Sequence, residues 1–71
     1  MENVIRDFRM KTGITQREFA QLAGISLVLV SKLESNLDKI EGISAISAWK
    51  ISKAIGISME ELLTRGGGVE F

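Results

Sequence analysis

Cysteine, histidine and proline are all missing from this chain, and its net charge is zero. Without cysteine no disulfide can staple the fold, and without cysteine or histidine only carboxylates are left as plausible metal ligands. No uninterrupted apolar run approaches the roughly 18 residues of a membrane span. The start, Met1-Glu2-Asn3, carries an acid and lacks the basic-then-apolar layout of a secretory signal, so a cytoplasmic protein is expected. There is no repeat and no low-complexity tract, and nothing suggests a second domain. No Ser-His-Asp, Cys-His, phosphate-loop or dinucleotide-binding arrangement is present, so neither an enzyme nor a cofactor is expected. Nine Lys and Arg balance nine Asp and Glu, whereas domains dedicated to nucleic acid are often clearly basic. Composition alone therefore argues mildly against such a partner, and the placement of the charges has to decide.

What the chain does have is apolar content: 45% of its 71 residues are hydrophobic, enough for an ordered core. A chain this short buries a smaller share of its surface than a larger one, and its stability must come from packing alone.

Val4, Ile5 and Phe8 recur at helical spacing and predict a helix from residue 3 to about 12, ended by Gly13. Thr15 followed by Glu18 is the spacing of a capping box and opens a second helix to about Ala23, with Phe19, Ala20 and Ala23 or Leu22 facing inward. Gly24 permits a tight turn. Ser26 is the next N-cap, and Val30 and Leu33 share one face of a third helix ending near Ser35, with Asn36 as a left-handed cap. Residues 37–42 read as a loop. From Ser44 to Ile55 the helical period returns through Ala45, Ala48, Trp49, Ser52 and Ile55, with Trp49 expected in the core and Gly56 closing the helix. Ser58 caps a last short helix, Met59 to about Leu63, whose Glu60 and Glu61 suit the helix dipole better than a metal or catalytic role. The expectation is an all-α domain of five helices over residues 1–64, followed by a flexible tail, 65–71, with Gly66, Gly67 and Gly68.

A helix, a short turn through Gly24 and a second helix form the layout of a helix-turn-helix, whose second helix lies in the major groove of DNA. The residues go further. Arg9, Gly13-Ile14-Thr15-Gln16, Phe19-Ala20, Gly24-Ile25-Ser26 and Val30 with Leu33-Glu34 stand at fixed spacing, and Ala54-Ile55-Gly56-Ile57-Ser58 with Leu62 close the pattern. From about residue 5 to 63 the chain resembles the phage repressor/Cro (XRE-type) helix-turn-helix family. That resemblance implies a compact lambda-repressor-like fold and double-stranded DNA as the partner. It also implies an ion pair between Arg9 and Glu34, tying the first helix to the end of the third. Ala20 has a reading of its own: the two helices of the motif cross closely there, and a larger side chain would push them apart.

Gln16, flanked by Thr15 and Arg17, sits at the first turn of the second helix, where side chains and N–H groups can meet a phosphate. By alignment with the family, Ser26, Leu27, Val28, Ser31 and Lys32 face the base edges. Family members usually carry Gln, Arg, Ser, Thr or Asn at several of these positions, whereas this chain has four apolar residues in a row, Leu27-Val28-Leu29-Val30. With Val30 and Leu33 facing inward, Leu27 and Val28 are expected to be exposed and to need a partner. One candidate is the thymine methyl group, with Ser31 and Lys32 supplying polar readout. The other is a protein, in which case the domain is an interaction module, antirepressor or antitoxin-like, on the same fold. A rotated third helix burying one of the two is also open. In the following loop Asn36 and Lys39 can grip phosphates while Asp38 and Glu41 repel them, so a monomer is expected to bind DNA weakly and with strong salt dependence. A sequence-specific regulator of transcription acting as a homodimer is the leading expectation, with the dimer contact on the fifth helix and tail or on a face of the fourth.

Overall fold

A helix leaves its first N–H groups unpaired, and in this chain a short polar side chain stands at each place where such groups arise. In the computed structural model, which describes residues 3–35 and 42–66, Asn3 caps α1 (Val4–Thr12) and Thr15 caps α2 (Gln16–Ala23). Ser26 caps α3 (Leu27–Glu34) and Ser44 caps α4 (Ala45–Ile55). The Ser58 hydroxyl oxygen accepts from the Glu61 N–H at 3.0 Å and opens α5 (Met59–Gly66). The capping box is complete: Glu18 N–H donates to Thr15 Oγ1 at 3.0 Å and Thr15 N–H to Glu18 Oε1 at 2.9 Å. Caps of this kind contribute about 1 kcal/mol each. The architecture is all-α, with five helices and no strand among the described residues.

The turn between α2 and α3 needs a left-handed residue, and Gly24 takes it with φ of 72°. Its N–H donates back to the carbonyls of Ala20 and Gln21, which α2 would otherwise leave unpaired. Helix α3 ends at Ser35, as expected. Ser35 terminates it with φ of −90°, outside the left-handed region, and its hydroxyl donates to the Ser31 carbonyl at 2.8 Å. The expected cap Asn36, the loop 37–41 with Lys39, and residues 67–71 of the tail lie outside the described residues. Helix α5 continues past Leu63 to Gly66, with the Thr64 hydroxyl donating to the Glu60 carbonyl at 2.9 Å.

Every helix contributes to one core. Val4 and Ile5 come from α1, Phe19, Ala20 and Ala23 from α2, Val30 and Leu33 from α3, Ala48 and Ile51 from α4, and Leu62 from α5. Helix α2 packs on α3 and α4, while α1 packs on α3 and α5 and α4 on α5. Of the two alternatives on α2, Ala23 is the buried one and Leu22 is exposed.

Trp49 is a correction: it is not a core residue but 51% exposed, with Lys53 Nζ 4.6 Å from its ring centroid. The buried stripe of α4 runs through Ala48, Ile51 and Ser52. Trp49 follows Ala48 by one residue, about 100° round the helix, and turns to solvent. Ala45 is also exposed, as the first residue of the helix. Ile46 and Trp49 form a second apolar stripe with the same period, and only the neighbouring helices decide which stripe is covered. Among the described residues Ser52 is the one buried polar side chain, and its hydroxyl donates to the Trp49 carbonyl at 2.8 Å.

Candidate nucleic-acid interface

Two side chains of α1 fix where α3 lies. Arg9 donates from Nε to Glu34 Oε2 at 2.6 Å and from Nη2 to Glu34 Oε1 at 2.7 Å, a two-pronged, planar pairing. Its Nη1 donates to the Ile14 carbonyl at 3.2 Å, so one guanidinium holds the end of α1, the start of the next turn and the end of α3. The hydrogen bond to Glu34 raises the Arg9 pKa above its already strongly basic range; burial opposes this and the charge of Glu34 adds to it.

Asn3 is the second tie, and sequence reasoning missed it. Its Oδ1 accepts the Arg6 N–H at 3.0 Å to cap α1, and its Nδ2 donates to the Leu33 carbonyl at 2.9 Å. The available signal was an asparagine directly before Val4-Ile5, a strong N-cap residue. A third brace comes from α4: Lys50 Nζ donates to the Gly24 carbonyl at 3.3 Å and holds the turn of the motif.

With α3 anchored at its far end and its Val30 and Leu33 turned into the core, the opposite side is presented outward. Ser26, Leu27, Val28, Ser31 and Lys32 are all exposed. Leu27 is 37% and Val28 63% exposed, so α3 is not rotated to bury either one. Positions 28, 31 and 32 lie three and four apart and share a face. Ser26 Oγ accepts the Leu29 N–H at 3.0 Å and Thr15 Oγ1 accepts that of Glu18, which leaves each hydroxyl proton free to reach an acceptor. Arg17 is exposed, while Gln16 is half-buried and lines a shallow concavity with Ser31. The start of α2 and the outward side of α3 are thereby brought together. Asn36 and Lys39 lie outside the described residues.

A pair of crossed helices joined at a glycine turn, with the second held from behind and free in front, defines a helix-turn-helix DNA-binding domain. A family model described as Helix-turn-helix matches residues 5–62, and the chain belongs to that family, the XRE-type regulators of the Cro/C1 kind. No curated protein and no solved structure matches the chain. Among the described residues no helix is long and apolar enough to cross a membrane.

Proposed function

We propose that the protein is a sequence-specific DNA-binding regulator of transcription, with the start of α2 on the phosphate backbone and α3 in the major groove. The observation that carries this reading is the outward side of α3, exposed from Ser26 to Lys32 while its other side is fixed by Arg9, Asn3 and the core. In this reading Thr15, Gln16 and Arg17 meet phosphates, Ser31 and Lys32 read polar base edges, and Leu27 and Val28 contact thymine methyl groups. Asn36 and Lys39 belong to the same set as backbone contacts.

Two acids of the motif are engaged internally, which lessens the weight of zero net charge against this reading. Glu34 is bound to Arg9, and Glu18 accepts the Thr15 N–H. Eight residues of α3 cover about 12 Å, or three to four base-pair steps, too few to mark a site alone. A homodimer on paired half-sites supplies the missing specificity. The exposed Ile46 and Trp49 favour a face of α4 for that contact. A second reading rests on the adjacent exposed Leu27 and Val28: the same side of α3 docks on a protein, and the domain acts as an interaction module.

Titration of a mixed-sequence duplex separates the two. Affinity is expected to fall as salt rises, and Gln16→Ala with Lys32→Glu to weaken binding roughly tenfold to hundredfold. Binding that ignores both salt and these substitutions would contradict the regulator reading.

A further inference from the structure

The concavity that joins Gln16 to Ser31 is also lined by Arg6, Arg9, Glu34 and Ser35. Its charges do not cancel. Both Glu34 oxygens are taken by Arg9, and the third prong of Arg9 is on the Ile14 carbonyl, so this pair presents no net charge and little spare donor capacity. Arg6 is then the uncompensated cation of the site: no described carboxylate bridges its exposed guanidinium. Its sequence neighbour Asp7 lies on another side of α1, lining a different hollow with Lys11 and Ile57. Nor is Arg6 loosely placed. Its own N–H is bound by Asn3, and Asn3 is bound to the end of α3, so the start of α1 is fixed relative to the recognition surface. Gln16 and Ser31 add neutral donors beside it.

We infer that this concavity is a phosphodiester-binding subsite in which Arg6 supplies the charge, one contact beyond those of the first turn of α2. The inference rests on the DNA reading proposed above. A guanidinium matches two phosphate oxygens at once, and an exposed one gives up little hydration to do so. A duplex whose major groove receives Ser31 brings its backbone past the rim where Arg6 stands. Nothing local in the sequence distinguishes Arg6 from Lys11, another cation of the same helix.

The test is the slope of log affinity against log salt on a mixed-sequence duplex. Arg6→Gln is expected to lower that slope by about 0.9, the value for one lost phosphate contact, and Arg6→Lys to restore most of it. Lys11→Gln, which removes an equal charge from the other side of α1, should leave the slope unchanged. Thermal unfolding of Arg6→Gln should match the parent, since the Arg6 side chain makes no hydrogen bond or ion pair among the described residues. An unchanged slope in Arg6→Gln overturns the subsite, as does an equal loss in Lys11→Gln, which would mark a non-local charge effect. A parent protein with no salt-dependent binding overturns the DNA reading instead, and the subsite with it.

Discussion

Replacing Arg9 with alanine is expected to lower the unfolding free energy by about 3–5 kcal/mol. The side chains of Arg9 and Glu34 are 19% and 7% exposed, so the pair is largely withdrawn from water and the substitution strands a carboxylate there. A small domain has about 5–15 kcal/mol in all, which makes this loss a large fraction of the total. The urea midpoint should fall with little change in slope. Arg9→Met combined with Glu34→Leu should recover most of the loss, because the penalty lies in the unpaired charge and not in the absence of a bridge. The Arg9 pKa is raised by folding, so while Glu34 is ionised its contribution is complete below the ordinary arginine range and is lost as pH climbs through the still higher folded value. A loss under about 1 kcal/mol would place the pair with ordinary surface bridges.

Phe19→Ala is expected to cost a similar amount, about 3–5 kcal/mol, by a different route. Phe19 is fully buried, and its ring stands edge-on to Phe8 with centroids 5.8 Å apart. Its core companions on α2, Ala20 and Ala23, are small, so Phe19 provides most of the apolar volume that seats this helix. Alanine leaves a cavity there that the close crossing of α2 and α3 cannot collapse to fill. The melting temperature should drop by roughly 12 °C or more for a domain of this size. Leucine at position 19 should lose less, since it keeps part of the volume. A drop of only a few degrees would mean that α2 is held chiefly by its caps and its polar ties.

The parts of this fold that were legible in the sequence are those written locally. Thr15 with Glu18, Ser26, Ser44 and Ser58 act within three residues of themselves, and Gly13, Gly24 and Gly56 mark helix ends through their own backbone freedom. The matched blocks also implied the Arg9–Glu34 pair across 25 positions, and the two side chains do meet. Trp49 was not legible because α4 carries two apolar stripes of equal period, and the choice between them belongs to α2 and α5. Asn3 was missed because its second bond reaches the Leu33 carbonyl, 30 residues away, and the apolar spacing alone starts the helix at residue 3 itself. Arg6 depends in the same way on what α2 and α3 bring beside α1.

The exposed side of α3 is the centre of the account, and selection of binding sites from random duplex DNA tests it most directly. The protein should recover a motif with thymine-rich positions, and Leu27→Ser with Val28→Ser should change the preference at those positions while leaving salt dependence intact. Recovery of no motif at low salt would contradict the claim and turn that surface over to a protein partner.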